Sequence, residues 1–180
     1  RFQDIEADLQ DIPGVYQTLQ AGDNKILHLR LLPEHSGRSV RINYKVVRRE
    51  KGPYAASDVD TGRYLRSTTG LPVGGRFESI VREVVAAQEA ETPLTQARAL
   101  YDHVIDNMRY AKQGTYGTGD AEYACDSRWG NCADFHSYFI SLARTAGIPA
   151  RFAIGAAIPA ARNEGGVNGY HCWAEFYADD

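Results

Sequence analysis

Gly130-Asn131-Cys132-Ala133-Asp134-Phe135-His136-Ser137-Tyr138-Phe139-Ile140-Ser141-Leu142-Ala143-Arg144 carries the pattern of a helix that starts on a cysteine. Phe135, Tyr138, Phe139, Leu142 and Ala146 recur at the spacing of one helical face, and Asn131 stands where an N-cap satisfies the first turn. Cys132 therefore falls at the positive end of the helix dipole, where thiolate is favoured over thiol. The same N–H groups suit a developing oxyanion. Further along, Tyr170-His171-Cys172-Trp173-Ala174-Glu175-Phe176-Tyr177 alternates as an aromatic-rich strand with His171 near its start. A helix-capping cysteine and a strand histidine are a nucleophile and a base. A cysteine on an amphipathic helix is more often simply packed in a core, so the case needs other support.

Composition bounds the answer. The 180 residues, 43% hydrophobic and 24% charged, suffice for one substantial core or two small domains of an ordinary globular chain. A net charge of −3 without Lys/Arg-rich runs argues against a nucleic-acid or anionic-membrane partner. No apolar stretch approaches the length of a membrane span, so no membrane insertion is expected. The start, Arg1-Phe2-Gln3-Asp4, is neither an initiator methionine nor a signal peptide, and is expected to be a processed end. Cys125, Cys132 and Cys172 are an odd set, too sparse for a disulfide scaffold, and leave the compartment open.

Residues 1–60 are expected to form a small β-rich module. Gly14 to Leu19 and Lys25 to Leu31 read as a hairpin around Ala21-Gly22-Asp23-Asn24, with Leu27, Leu29 and Leu31 on one face. Ser39 to Val46 alternates strictly, as in a sheet with one wet face. Residues 61–75, rich in glycine, threonine and proline, have the composition of a connector. Residues 76–180 then form the main core. Its first two helices run from Arg76 to about Ala90 and from Pro93 to Met108, the second opened by the cap signal Thr92-Pro93. Both apolar stripes, Phe77, Ile80, Val81, Val84 and Val85 on one and Leu94, Ala97, Leu100, Tyr101, Val104, Ile105 and Met108 on the other, are expected to face the core. Gly114 to Gly119 reads as a surface loop of the kind that borders a substrate cleft. After the cysteine helix come a cap at Gly147, a short strand from Ala150 to Gly155, a flexible loop from Ala156 to Gly169, and the histidine strand.

Three blocks, Gly130-Asn131-Cys132-Ala133-Asp134-Phe135, Ala143-Arg144-Thr145-Ala146-Gly147-Ile148-Pro149-Ala150-Arg151 and His171-Cys172-Trp173-Ala174-Glu175, resemble in order and spacing the core motifs of the transglutaminase-like superfamily of papain-like cysteine enzymes. The resemblance implies an α+β fold, a nucleophile helix packed on an antiparallel sheet that carries histidine and then aspartate, preceded here by a β module of the kind found before the core of bacterial members. It also implies acyl-transfer chemistry: thiolate attack on a peptide or carboxamide carbonyl, a thioester, and release to water or an amine. The aspartate of that pattern belongs on the strand after the histidine strand. Asp179 and Asp180 stand eight or nine residues beyond His171, roughly 26–30 Å along an extended strand, too far for a hydrogen bond. That aspartate, with the last strands of the core, is expected to lie outside this chain.

Cys132 and His171 are thus the candidate catalytic residues. Trp129 is a candidate for the acyl pocket, as is Trp173, and Tyr110 for a hydrogen bond to the oxyanion; all three have packing as the plainer role. Asp134 most simply favours the helix dipole, and Glu175 is taken as structural. His136, Cys125, His171 and Cys172 match no zinc spacing, so no metal or cofactor is expected. A Cys125–Cys132 disulfide is open, since spacing does not show whether the two meet. Two functions remain: an enzyme acting on a protein or peptide substrate, with hydrolysis favoured over protein-glutamine cross-linking because nothing marks an amine acceptor site, and a non-catalytic binding or scaffold module. An extracytoplasmic location follows from the resemblance to envelope and secreted members; oligomeric state is not legible.

Overall fold

A computed structural model describes residues 3–9, 13–21, 24–50, 60–156, 165–167 and 169–178, divided into two units, Arg1–Pro53 and Tyr54–Asp180. In the first, β2 (Val15–Ala21) and β3 (Asn24–Arg30) form the expected antiparallel hairpin, with Leu19 opposite Ile26. The strand expected over 39–46 begins later, as β4 (Asn43–Arg48), and its partner is β1 (Gln3–Asp8), joined also by the Arg49–Asp4 ion pair at 2.6 Å. β1 has little apolar content and is held by pairing with a distant segment. None of the described residues of these strands is buried.

The second unit is built around one helix. α4 (Cys132–Thr145) packs against α1 (Arg76–Ala87), α2 (Pro93–Asn107), α3 (Ala121–Ser127) and the antiparallel pair β7 (Ala150–Ala156) and β8 (Tyr170–Phe176). An apolar stripe on one face predicts a half-wet helix, yet every residue from Ser137 to Arg144 is buried, because neighbours cover α4 on all sides. Phe77, Leu100, Val104, Ile140, Leu142 and Ile148 form the centre of the core. The caps follow the local chemistry: the Thr92 hydroxyl accepts from Thr95 N, with proline at the first helical position of α2, and Asp120 Oδ1 accepts from Glu122 N and Tyr123 N at the start of α3.

Three features depart from the periodicity. α3 was not foreseeable as a helix in the glycine-rich approach to Cys132; its Ala121 and Ala124 are buried, and Ala121 N donates to Gly70 O. Two-residue strands β5 (Arg109–Tyr110) and β6 (Trp129–Gly130) pair in parallel just before α4. Finally, only Ala97, Leu100, Val104 and Met108 of the α2 stripe reach the core. Leu94, Tyr101 and Ile105 are exposed and line an apolar groove of about 340 Å³ with Phe135, Phe139, Trp173 and Phe176.

The irregular 60–75 segment is bonded into this unit. Arg144, only 6% exposed, donates from Nε to Ala150 O at 2.9 Å and from Nη1 to Arg66 O at 2.8 Å and Thr68 Oγ1 at 3.4 Å. Gly74 N donates to Thr145 Oγ1 at 3.0 Å. The Ala143 to Arg151 block thereby ties the end of α4 both to β7 and to the chain ahead of α1. Among the described residues no helix is long and apolar enough to cross a membrane. Asp179, Asp180 and most of the loop expected between β7 and β8 (157–164 and 168) lie outside the described residues.

Candidate active site

The start of α4 is assembled from two side chains, two glycines and a loop. Asn131 Oδ1 accepts from Ala133 N at 2.8 Å, capping the first turn. Asp134 Oδ2 reaches back to accept from Asn131 N at 2.9 Å, completing a capping box, and also accepts from Gly117 N at 2.6 Å. The carboxylate is fully buried and its Oδ1 has no partner among the described residues. Gly130 leaves the room: a Cβ there would fall on Asp134 Oδ2 and within 2.7 Å of its Cγ. Gly117, at φ +73°, lies so close that a Cβ would come within 2.7 Å of Asn131 Nδ2. The loop before α3 is thus clasped onto the helix that carries Cys132. Asp134, expected only to favour the dipole, has this more particular task, and the spacing Asn131-x-x-Asp134 is the signal that reveals it.

Half-buried Cys132 is the first residue of the helix, and its own N–H has no partner among the described residues. Beside it runs β8, whose alternation sends Cys172 inward and His171 outward. Cys172 is 3% exposed, and burial first, with the Cys132 thiol reinforcing it, pushes its thiol up to about 12. His171 is exposed, and its ring stacks on Trp173 with centroids 6.3 Å apart and planes at 29°. Trp173 Nε1 donates to Glu175 Oε1 at 3.2 Å, and Glu175 Oε2 holds Arg151, its cross-strand partner, at 2.6 Å. A polar ladder on one face of β8 therefore fixes the surface against which the imidazole rests. No hydrogen bond joins His171 to Cys132 among the described residues.

Tyr110, 58% exposed, pairs with Gly130 in the short parallel ladder and sets its ring 6.1 Å from Phe135. Trp129 is half-buried over Gly114, where a Cβ would come within 3.0 Å of the indole, and lines a groove of about 540 Å³ with Asn107, Arg109, Gln113 and Arg128. Both candidates stand directly ahead of Cys132. Cys125 does not: its thiol donates to Tyr138 Oη at 3.7 Å, and the same hydroxyl is hydrogen-bonded to His103 Nε2 at 3.1 Å. All three cysteines are free.

Two histidines link this region to pH. Burial holds His136 below the usual imidazole range, and neighbouring His171 lowers it further. His103 is likewise lowered by burial, with Asp106 opposing and Arg128 reinforcing the shift. In both cases the unfolded chain takes up a proton first as pH falls, so stability is complete above about pH 6.5 and declines below it. Urea midpoints between pH 7.5 and pH 5.5 should fall, and His136→Gln should flatten that fall; an unchanged slope in the variant would remove His136 from the account.

Residues 78–180 match the sequence profile of the transglutaminase-like superfamily. The chain belongs to that superfamily. The transglutaminase-like match begins in α1 and takes in Cys132 and His171. A curated relative, an uncharacterized protein of Haemophilus influenzae, is 29% identical over 140 residues, covering 66% of this chain and 37% of its own. Among solved structures, the putative cysteine protease of Cytophaga hutchinsonii aligns with a TM-score of 0.62 at 16% identity, over 98% of this chain and 61% of that one. The periplasmic domain of TgpA from Pseudomonas aeruginosa aligns with a TM-score of 0.50 at 19% identity, over 96% and 58%. These likenesses show the fold, an α+β transglutaminase-like architecture. The chain spans little more than a third of the curated relative and about three fifths of each solved chain.

Proposed function

We propose that this member of a cysteine-enzyme superfamily is an acyl-transfer enzyme that hydrolyses a peptide or carboxamide bond of a protein or peptide substrate, with Cys132 as nucleophile and His171 as base. The observation that carries the reading is the placement of Cys132 as the first residue of a buried, capped helix, with an N–H that has no partner among the described residues and the histidine strand packed beside the helix. His171, turned from Trp173 toward the helix, takes the Cys132 proton; the sulfur attacks the carbonyl carbon, and the Cys132 N–H receives the oxyanion. The imidazolium returns the proton to the departing amine, leaving a thioester. Water, deprotonated by His171, attacks the thioester and frees the acid and the thiol. Tyr110 and Trp129 line the approach to the carbonyl. An extracytoplasmic site of action is in keeping with the likeness to a periplasmic domain.

The stacking of His171 on Trp173 instead of a bond to Cys132 favours a second reading, a binding module without turnover. Catalytic hydrogen bonds often tighten only when substrate binds, so we favour the enzyme. Acid quenching with a peptidyl amide should trap a hydroxylamine-sensitive acyl adduct on Cys132, absent in Cys132→Ser and at least about 100-fold slower to form in His171→Ala. A primary amine incorporated into the product would redirect the assignment to cross-linking. No adduct with any peptide or carboxamide would favour the binding module.

A further inference from the structure

The mechanism above uses the first turn of α4 and leaves the apolar groove beside it unassigned. Phe135, His136 and Phe139 follow Cys132 by three, four and seven residues, which puts all four on one stripe of α4, and the last three line the groove of about 340 Å³. The groove floor therefore begins about 5–6 Å from Cys132, the separation of neighbours one turn apart, and runs to roughly 10 Å at about 1.5 Å per residue. Two ring contacts mark the near end. Phe135 meets Tyr110 at 6.1 Å, and Trp173, another lining residue, carries the stacked ring of His171 at 6.3 Å. The facing wall is α2, which ends at Asn107, two residues before the β5 strand that pairs with β6 ahead of Cys132. Ile105 thus stands at the Cys132 end of the groove and Leu94 at the far end.

We propose that this groove is the specificity pocket of the candidate active site and takes a large apolar side chain, aromatic or branched aliphatic, of a peptide substrate, about one to three residues from the scissile carbonyl. That span is the length of the groove floor expressed along an extended peptide at about 3.3 Å per residue. The lining suits such a guest. Arg98 is the only charged side chain among the described lining residues, and Asp102 holds it at 2.8 Å, while burial keeps His136 toward its neutral form. Leu94, Tyr101 and Ile105 leave apolar surface in water that a guest would cover. The volume lies at the lower end of the roughly 300–1,000 Å³ of sites that enclose small ligands. Twelve described residues line it, against about 20–30 a side in a stable protein–protein interface, so its size fits a side chain better than a second copy of the chain. That the guest belongs to a substrate rests on the reading of Cys132 as nucleophile.

The test measures binding without turnover, by fluorescence anisotropy on the full chain carrying Cys132→Ser. The probes are fluorescein-labelled, end-blocked heptapeptides of alanine around a central glutamine, with phenylalanine placed in turn at each flanking position. Phenylalanine at one or two of those positions should tighten binding at least about tenfold over the alanine parent, the scale of filling an apolar pocket. Ile105→Gln, a substitution at an exposed wall position, should erase most of that gain with the urea midpoint unchanged, and Tyr101→Ser should do the same. No binding, equal affinity for every peptide, or a gain that survives both substitutions would overturn the proposal, as would a dimer in sedimentation that Ile105→Gln dissolves. The wild type separates this from the catalytic reading. An acyl adduct that forms equally fast on the phenylalanine and alanine peptides would overturn the pocket and keep the enzyme, whereas a phenylalanine preference in binding with no adduct on any peptide would keep the pocket and overturn the catalytic reading.

Discussion

Gly130→Ala should destabilise the second unit by about 3 kcal/mol, the combined cost of overpacking and of losing buried charge-assisted hydrogen bonds. The added methyl has nowhere to go. It would occupy the space of the Asp134 side chain, which is fully buried, short, and fixed by its bonds to Asn131 N and Gly117 N. Displacing Asp134 leaves both N–H groups without a charged acceptor, frees the loop that Gly117 anchors, and unwinds the turn that presents Cys132. Reactivity of Cys132 should fall together with stability. Gly166→Ala is the matched control, since a Cβ there meets nothing within 4 Å, and its effect should stay within about 0.5 kcal/mol. Urea denaturation of both variants checks the claim; equal midpoints would mean that the clasp at the helix start contributes little.

Arg144→Met should cost nearly as much, about 2–3 kcal/mol, because it leaves two carbonyls and a hydroxyl without their donor. The guanidinium bridges β7 and the 66–68 segment at once, through Ala150 O, Arg66 O and Thr68 Oγ1. It has no carboxylate partner among the described residues, and burial lowers its basicity, so its own desolvation opposes the gain. The orphaned acceptors decide the sign. Arg144→Lys should recover only part of the loss, since a single ammonium lacks the fork that reaches both sides. A methionine variant as stable as the wild type would show that the segment ahead of α1 is held by packing alone.

The helix that carries Cys132 and the strand that carries His171 were legible because their signals are local. An N-cap at Asn131, a cap and proline at Thr92-Pro93, and alternation through Tyr170 to Phe176 each depend on neighbours in sequence. What escaped depends on distant partners. β1 exists through its pairing with β4, and α3 through two alanines packed in the core and a bond to Gly70. Periodicity told which α2 residues share a face, but not that Leu94, Tyr101 and Ile105 would stay uncovered. The His171 ring on Trp173 was equally out of reach, since it follows from a ladder that crosses to Arg151.

The most direct test of the central claim is the rate of Cys132 alkylation by iodoacetamide at pH 6 in the wild type and in His171→Ala, followed by peptide mass spectrometry with Cys125 and Cys172 scored separately. A coupled nucleophile and base predict that Cys132 reacts well ahead of the other two cysteines and slows at least about tenfold without His171. Slow alkylation that gains speed only above pH 8, unchanged by the substitution, would contradict the account and make Cys132 a packing residue of the core.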